Sequence, residues 1–380
     1  MITENVILKK NWDTIVIGGG QAGLSTGYYL KLLGEDFIIL DASDNIGDSW
    51  RKRWDSLKLF TPNWANALPG SPFPSLAKLH AGKDEVADFI NSYARKFDLP
   101  VLSQAKVIDL FKTENGYQVI SSKGMFACKN VVIANGAYAS PKIPEFAKSI
   151  NTKIFQVHSA SYKRASDLPS GDVLIAGAGT SGLQIALDVA ASGRKVYVSG
   201  NPPVQIPNLV LKYFGKQFIW AMNNIITIKT KPGRKAEHAI KTKHKAAPLI
   251  NVSLSEAVKA GVEPVPRIKG VLNGYPVLEG GRIIDVSTVI WCTGFSTDFS
   301  WININDVADE NGFPIAYRGI SKIHKGLYFV GMMFQYALTS SWISGVGRDA
   351  EYIVNHIHEN KSSVRQEFVH HHLSETEKVI

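Results

Sequence analysis

The chain has 380 residues, of which 45% are hydrophobic and 20% charged, and its formal net charge at pH 7 is +9. This length and composition are typical of two soluble domains, and the two widely spaced cysteines, Cys128 and Cys292, exclude a disulfide framework and a thiolate metal site. No signal peptide or bilayer-spanning segment is readable, so we expect a cytoplasmic protein without stable membrane insertion.

The first predicted unit opens with the segment TIVIGGGQAGLSTGYYL. Its short β-branched run predicts a buried parallel strand, and a helix follows the GxGxxG spacing of Gly18, Gly20 and Gly23. Gly18 permits a tight turn, Gly20 lets the backbone approach a pyrophosphate, and Gly23 lets the helix pack closely on the strand. The next strand, FIIL, ends at Asp41, where a carboxylate can accept hydrogen bonds from ribose hydroxyls. These features together predict a dinucleotide site.

The segment VLIAGAGTSGLQIALDVA repeats this pattern with Gly177, Gly179 and Gly182. The strand that follows, KVYVS, has no acidic residue after it, and a carboxylate at that place would repel the 2′-phosphate of NADP. The sequence therefore favours NADPH, with NADH as the alternative. Asn201 stands where an arginine for the 2′-phosphate is expected, and four nearby basic residues could substitute for it: Arg194, Lys195, Lys212 and Lys216.

Two dinucleotide units favour FAD in the first and NAD(P)H in the second, with hydride passing from the nicotinamide to the flavin. The strands NVVIANGAY and VIWCTGF each run into a turn of small residues, where the chain could pass between domains. We predict an α/β fold of two Rossmann-like domains in three layers with mostly parallel sheets. The predicted limits are 1–160 with 295–380 for a discontinuous FAD-binding domain and 161–294 for the NAD(P)H-binding domain.

The order and spacing of these segments resemble the class B flavin-dependent monooxygenases, nearest the branch of the plant YUCCA-type enzymes and their bacterial relatives. The resemblance covers most of the chain and includes IGDSWRKRWDSLKLFTP, QVHSASYK and GLYFVGMMFQYALTSSWISGVGRDAEYIVNHI. It implies an active site in the cleft between the domains. It also implies that reduced FAD captures O2 as a C4a-(hydro)peroxide and transfers one oxygen atom to a small organic substrate, with retained NADP⁺ excluding water.

Several residue roles are implied by the same resemblance. In the family, a linker motif FxGxxxHxxx helps to set the nicotinamide domain against the flavin, and His158 matches its histidine, although Thr152 and Ile154 replace the usual Phe and Gly. Asn63, in LFTPNW, corresponds to an asparagine near the flavin C4a position in some relatives. Gln335 is a candidate hydrogen-bonding group near the ring, with a polar loop residue as the alternative.

The segment after Trp50 and Arg51 contains a proline-rich stretch without helical or strand periodicity. These two side chains could cover the flavin ring and its phosphates, and core packing is the alternative for the tryptophan. In the family, a threonine usually stands in each of the two strand-to-turn motifs. Asn135 replaces it in the first, NVVIANGAY, and Thr293 keeps it in the second, VIWCTGF. The predicted catalytic residues are Asn63 and Gln335, and the predicted cofactor contacts are Gly18, Gly20, Gln21, Ala22, Gly23, Asp41, Trp50, Arg51, Val107, His158, Gly177, Gly179, Thr180, Ser181, Gly182, Thr293, Gly294 and Gly331.

Six lysines and Arg234 lie between residues 229 and 245, against Glu237 alone. Such a run is typical of a solvated loop, and the alternative is an electrostatic attractor for NADPH or an acidic substrate. The three histidines at 370–372 lack metal-ligand spacing and are expected at the surface, and no metal is predicted. The expected partners are O2 and a small-molecule substrate, not nucleic acid, and a homodimer is compatible with the sequence.

Alternatives to oxygen transfer come from other enzymes and sensors with two dinucleotides. Disulfide reductases pass electrons to a pair of nearby cysteines, which Cys128 and Cys292 do not form by their spacing. A non-catalytic flavoprotein redox sensor, and an NAD(P)H oxidase or reductase of the same fold, stay open.

Overall fold

The computed structural model describes residues 10–75, 78–242 and 247–376. Its helices are α1 (Gln21–Leu32), α2 (Asp48–Arg51), α3 (Lys83–Lys96), α4 (Thr180–Ala191), α5 (Asn208–Asn224), α6 (Lys231–Lys241), α7 (Leu254–Lys259) and α8 (Ile343–Thr376). Within this part of the chain, no helix has the length and apolar character that crossing a membrane requires.

The strands alternate with these helices along the chain. They are β1 (Asn11–Ile17), β2 (Phe37–Leu40), β3 (Val101–Leu102), β4 (Val107–Thr113), β5 (Gly116–Ser121), β6 (Gly124–Ile133), β7 (Ser140–Pro141), β8 (Phe155–His158), β9 (Val173–Ala176), β10 (Val196–Ser199), β11 (Val262–Val265), β12 (Ile268–Leu272), β13 (Tyr275–Leu278), β14 (Thr288–Trp291), β15 (Phe295–Ser296), β16 (Ile302–Asn303), β17 (Ala316–Tyr317), β18 (Ile320–Ser321) and β19 (Leu327–Phe329).

The larger sheet is built around the first glycine-rich unit. Its main path is β16-β4-β5-β6-β1-β2-β3, and β19 pairs parallel with β6. Strand β1 lies between β2 and β6 and runs parallel to both, with Ile15 opposite Ile38 on one side and Val131 on the other. Ile15 is fully buried because helices or other strands cover a central parallel strand on both faces, as its continuous apolar run predicts.

The second sheet is built around the second glycine-rich unit, in the order β11-β10-β9-β14-β8. Strand β9 lies between β10 and β14 and is parallel to both, which repeats the arrangement of β1 between β2 and β6. The structure thus confirms the predicted α/β fold with two Rossmann-like units. The residue limits of the domains stay a prediction; β8, which ends before residue 160, pairs with β14 in the second sheet.

Two short strands, β7 and β15, connect the units. They pair antiparallel, so the chain leaving the first unit and the chain returning to it run side by side. The Lys142 backbone N–H donates to the Gly294 carbonyl oxygen at 3.0 Å, and the Thr293 hydroxyl donates to the Lys142 carbonyl oxygen. These bonds join the two chain segments that pass between the units into one double-stranded connection.

The basic segment is not the solvated loop that its charges predicted. Residues 231–241 form α6, whose N-terminus is capped because the Thr230 hydroxyl accepts a hydrogen bond from the Gly233 N–H at 3.1 Å. Lys241 pairs with Glu237 one turn earlier, with the ammonium 2.8 Å from the carboxylate. This cap and this i,i+4 pair are local helix signals that a count of charges overlooks. Lys243 and Lys245 lie outside the described residues.

Candidate functional site

The two glycine-rich turns have the same backbone geometry. Gly18 has φ +110° and Gly177 has φ +120°, a region that side chains with a Cβ rarely adopt. A Cβ on Gly18 would lie 2.5 Å from the carbonyl oxygen of Ala134, and one on Gly177 would clash with the carbonyl oxygen of Cys292. Each turn therefore lies directly against the end of the neighbouring strand, β6 in the first unit and β14 in the second.

The third glycine of each motif fixes the start of a helix on its strand. A Cβ on Gly23 would overlap the carbonyl oxygen of Gly18, and a Cβ on Gly182 would overlap that of Gly177. These contacts leave no room for any other residue, which is the close helix–strand packing that the spacing predicted.

The middle glycines face open space. Apart from their chain neighbours, Gly20 and Gly179 have no heavy atom within 4 Å of where a Cβ would stand, and both have φ −79° with extended ψ. Because each immediately precedes its helix, the free N–H groups of α1 and α4 are approachable by an anion. The residues predicted to line these openings lie in the first helical turns: Gln21 and Ala22 in α1, Thr180 and Ser181 in α4. Both openings fit a dinucleotide pyrophosphate.

Asp41 lies directly after β2 beside the first opening. Its carboxylate accepts hydrogen bonds from the Gly19 N–H at 2.6 Å and the Ser43 N–H at 2.8 Å, so its position is fixed by the backbone. The Asp41 carbonyl oxygen accepts from Ala105, and the chain continues to Val107, which is half-buried at the start of β4. A carboxylate held this way retains lone pairs for the ribose hydroxyls of FAD.

The second unit has a glycine where the first has Asp41. The Gly18 N–H bonds to the last residue of β2, and the Gly177 N–H bonds to the last residue of β10, so Gly200 is the structural counterpart of Asp41. Gly200 has φ +111° and the Cγ atom of Arg267 lies 3.8 Å from where its Cβ would stand. Arg267 is exposed, and it follows β11, the neighbour of β10 in the sheet. It is therefore a cation at the place where a 2′-phosphate is expected.

Two of the basic residues considered as substitutes lie at the wrong end of β10. The Arg194 guanidinium donates to the carbonyl oxygens of Leu168 and Pro169, and the Lys195 ammonium lies over the ring of Tyr197, 5.0 Å from its centre. Both residues precede the strand, whereas the glycine-rich turn faces the strand's carboxyl end. Lys212 and Lys216 are exposed on α5.

Asn135 leaves a buried polar atom beside the first opening. Its Oδ1 atom is buried and has no hydrogen-bond partner among the described residues. The Asn135 Cα lies 3.1 Å from where a Cβ on Gly18 would stand, so this residue is next to the glycine turn. A buried carbonyl oxygen without a donor is costly, and a cofactor hydroxyl would supply that donor. This orphan oxygen agrees with FAD at the first unit.

The turn after β19 also lies beside the first opening. Gly331 has φ +84°, and a Cβ there would lie 2.8 Å from the Cβ of Ala22, so this turn lies against the first turn of α1. A Cβ on Gly331 would also lie 3.9 Å from Cγ2 of Val346, so the first turn of α8 lies near the same place. The sequence predicted Gly331 as the end of a strand, and the contact with α1 gives the reason why a glycine stands there.

The two predicted catalytic residues hold loops in place. The Asn63 side-chain N–H donates to the Lys78 carbonyl oxygen and its Oδ1 accepts from the Ala81 N–H, both at 2.8 Å. The Gln335 amide donates to the Arg318 carbonyl oxygen at 3.2 Å and accepts from the Met332 N–H at 3.4 Å. Both amides are buried and engaged on both of their polar atoms, so their catalytic role stays a prediction, and the structure gives each a definite loop-fixing role.

His158 ties the end of β8 to the connection between the units. Its Nδ1 atom accepts the Ala160 N–H at 3.1 Å, so Nε2 carries the ring proton and donates to the Gly294 carbonyl oxygen at 3.0 Å. Burial lowers the pKa of this imidazole and favours its neutral form. The ring also meets Phe295 edge-on at 4.9 Å between centroids. These contacts agree with a positioning role at the domain connection, which remains a prediction.

Arg51 is paired with carboxylates, whereas Arg53 faces the connection. The Arg51 guanidinium lies 2.6 Å from the Asp88 carboxylate and 3.4 Å from that of Asp48. These ion pairs engage the side chain that the sequence predicted to contact the flavin phosphates. The Arg53 guanidinium lies 5.6 Å from the ring centre of Phe295 in β15, and burial lowers its pKa. Only the folded chain distinguishes these two arginines, because the sequence places both in one basic stretch.

The tryptophans of the same stretch pack between the units. Trp54 is buried among residues of the second core, which includes Val173 and Leu183, and Trp50 contacts both the first and the second core. The segment that contains these two tryptophans is therefore packed against both units. The cofactor contact of Trp50 stays a prediction.

Comparison with known proteins identifies the family. Residues 15–212 match the family described as pyridine nucleotide-disulphide oxidoreductase. A CzcO-like oxidoreductase of Geobacillus kaustophilus is 38% identical over 346 residues, which cover 91% of this chain and 98% of the relative. The chain belongs to this oxidoreductase family. Among more distant relatives, a probable indole-3-pyruvate monooxygenase of Arabidopsis thaliana, YUCCA8, is 25% identical over 94% of this chain and 91% of its own length.

Solved structures of similar fold include more than one kind of oxidoreductase. A flavin-containing monooxygenase from Stenotrophomonas maltophilia superposes with TM-score 0.76 at 24% identity, covering 92% of this chain and 99% of that one. A bacillithiol disulfide reductase from Staphylococcus aureus superposes with TM-score 0.67 at 17% identity, covering 93% and 99%. The predicted kinship with flavin monooxygenases is confirmed at the level of family and fold, and family membership implies FAD and NAD(P)H as the cofactors of this oxidoreductase.

One carboxyl group of the oxidoreductase has a strongly raised pKa. Asp349, in the second turn of α8, is fully buried, and this burial raises its pKa to about 6, although Arg348 lies 4.0 Å away and favours the charged form. A raised pKa means that the folded protein binds this proton more tightly than the unfolded chain does. The free energy of unfolding therefore falls as pH rises from about 4 to about 6 and stays lowered above that range.

We expect Asp349→Asn to stabilise the protein at pH 8 and not at pH 4. A shift of about two pKa units corresponds to about 3 kcal/mol at most, measurable as the difference in free energy of unfolding between variant and wild type. Asp298→Asn is the control. Hydrogen bonds from Ser300 lower the pKa of that exposed carboxyl, so removing it should decrease the free energy of unfolding at pH 8 relative to wild type. A stability gain of Asp349→Asn that does not change with pH would contradict this assignment.

Proposed function

We propose that this protein is an FAD-dependent monooxygenase that oxidises NADPH and transfers one atom of O2 to a small organic substrate. The observation that carries the proposal is the combination of two complete dinucleotide openings with the absence of a cysteine pair. Two openings provide for hydride transfer between two bound dinucleotides. Without a thiol pair in the chain, O2 is the acceptor that accounts for the electrons.

The two cysteines of the chain are unsuited to dithiol chemistry. Cys128 is buried in β6 of the larger sheet, and burial raises its pKa to about 12. Cys292 directly follows β14 in the second sheet, and burial of its thiol raises its pKa to about 12 as well. The reactive species in disulfide exchange is the thiolate, which these pKa values suppress at neutral pH. The thiols also belong to different sheets.

The residues of the chain would bind and orient two cofactors. FAD, when bound, accepts hydride from the nicotinamide and reacts with O2. The N-terminus of α1 would hold the FAD pyrophosphate, Asp41 its ribose, and the Asn135 amide a hydroxyl group close to the glycine turn. The N-terminus of α4 would hold the pyrophosphate of NADPH, and Arg267 its 2′-phosphate.

The connection between the units would hold the two cofactors against each other and exclude water. Tyr138 and Phe295 meet edge-on at 5.6 Å between ring centroids, where the two crossings run side by side. Arg53 covers the same phenylalanine ring, and His158 packs on it with its proton held by the Gly294 carbonyl oxygen. This packed cluster fixes the position of each crossing relative to the other, which is what a water-excluding cleft requires.

Oxygen-18 labelling tests the proposal. Purified protein with FAD and NADPH would be incubated under ¹⁸O2 with amines, thioethers, ketones and 2-oxo acids, and the products analysed by mass spectrometry. We expect one labelled oxygen atom per oxygenated product, with NADPH consumed, and the same result for Cys128→Ala. Hydrogen peroxide as the sole product would identify an oxidase, and absence of NADPH oxidation in air would favour a redox sensor.

A further inference from the structure

The exposed side of α5 carries large apolar side chains. Leu209, Tyr213 and Trp220 are exposed by 69%, 63% and 59% of their surface, although residues of this size usually contribute to a core. Leu209 and Tyr213 are four residues apart on one segment of the helix, and Trp220 is four residues after Lys216 on the next segment. Lys212 and Lys216 are both exposed beside these apolar side chains. We refer to these five residues as the α5 face.

Another side of α5 is packed on the protein. Gly215 and Ile219 are buried, and a Cβ on Gly215 would lie 3.5 Å from the ring of Trp64. The backbone has non-helical angles at Phe214, φ −124° and ψ 20°, so the helix is kinked there and two segments follow the curved surface beneath them. The α5 face is therefore the outer side of a helix whose inner side is already occupied.

The end of α5 is fixed to the C-terminal part of the chain. The Ile228 N–H donates to the Tyr336 carbonyl oxygen at 2.9 Å, and the Leu338 N–H donates to the Ile226 carbonyl oxygen at 3.1 Å. The Arg348 guanidinium donates to the Asn223 carbonyl oxygen at 2.7 Å. These bonds place the end of α5 next to residues 336–338 and to the first turns of α8.

The charge around the α5 face is strongly positive. Residues 201–242 contain seven lysines and arginines and a single acidic residue, Glu237. That carboxylate is already paired with Lys241 at 2.8 Å. Four cations in α6 and just before it are also exposed: Lys229, Lys231, Arg234 and Lys235. Exposed aromatic and aliphatic groups thus lie within a surface that attracts anions.

We propose that the α5 face docks on the surface of a membrane that contains anionic lipids. Aromatic and aliphatic side chains interleaved with lysines on one exposed helix face are the combination that binds at a lipid interface, where rings enter the headgroup region and ammonium groups stay at the phosphates. Self-association through this face would bring Lys212 and Lys216 close to their copies in a second chain, and like charges oppose that. A nucleic acid would use the cations and leave Leu209 without a partner.

Vesicle co-sedimentation tests this docking. The full-length protein loaded with FAD should sediment with vesicles of equal parts phosphatidylcholine and phosphatidylglycerol, and remain in the supernatant with phosphatidylcholine alone. Binding should weaken as salt rises, because lysines contribute through a screened attraction. Leu209→Ser with Trp220→Ser should lower the binding about tenfold or more, and Lys212→Glu with Lys216→Glu should abolish it.

A matched pair elsewhere on the surface controls for lost apolar area. Ile108 and Met125 are exposed by 50% and 49% in the larger sheet, so Ile108→Ser with Met125→Ser should bind these vesicles as wild type does. Absence of binding to the anionic vesicles at low salt overturns the proposal. A dimer that light scattering detects and Trp220→Ser dissociates, in a protein that does not bind vesicles, also overturns it. Tight binding of single-stranded DNA without vesicle binding does the same.

Discussion

Gly20→Val is expected to give a folded protein that holds no FAD, and Gly179→Val a protein that holds FAD but loses NADPH. Both glycines have backbone angles that valine adopts, and apart from their chain neighbours neither has a heavy atom within 4 Å of where a Cβ would stand. The new side chain therefore meets the cofactor's pyrophosphate instead of the protein. Displacing a pyrophosphate from a helix N-terminus is expected to weaken binding by about 100-fold or more.

The measurements separate the two openings. FAD content follows from flavin absorbance and from release on denaturation, and NADPH binding follows from the concentration dependence of flavin reduction. Gly270→Val is the control, because that glycine in the β12–β13 hairpin also has open space around its Cβ position. Retention of FAD by Gly20→Val, or loss of FAD in Gly179→Val, would show that the openings are assigned to the wrong cofactors.

Arg267→Ala is expected to raise the dissociation constant for NADPH about tenfold and leave that for NADH unchanged. A charge-assisted contact with phosphate accounts for such a difference, and NADH has no phosphate at that position. Arg267 lies against Gly200, the counterpart of Asp41, whose proposed role is to bind the ribose of the other cofactor, and this places the arginine beside the proposed ribose site of the second opening.

The neighbouring Asn201 provides a gain-of-function companion. Asn201→Arg should lower the KM for NADPH more than the KM for NADH, because it adds a cation one residue after Gly200. Arg267→Lys should recover part of the NADPH affinity, which an effect on folding alone would not do. Equal changes for both coenzymes in Arg267→Ala would place this arginine outside the 2′-phosphate site.

The sequence alone predicted the parts of the fold that depend on neighbours along the chain. A buried strand, a turn at Gly18 and the start of a helix at Gly23 are within a few residues of one another, and the same holds for Gly177 and Gly182. Their backbone conformations follow from the missing side chains, so the spacing predicted both turns. The α/β class and the family followed from the order of such units.

Only the tertiary structure could decide which side chains meet across strands and loops. The sequence shows no hydrogen-bond partner for the Asn63 or Gln335 amide, yet in the fold each amide donates to a backbone carbonyl oxygen of another loop. Arg267 is 66 residues from Asn201 by the numbering, and it reaches the second opening because β11 pairs with β10. Local conformation is set by each residue and its chain neighbours, whereas the partner of a polar or charged side chain is set by sheet order and loop packing, which only the folded chain contains.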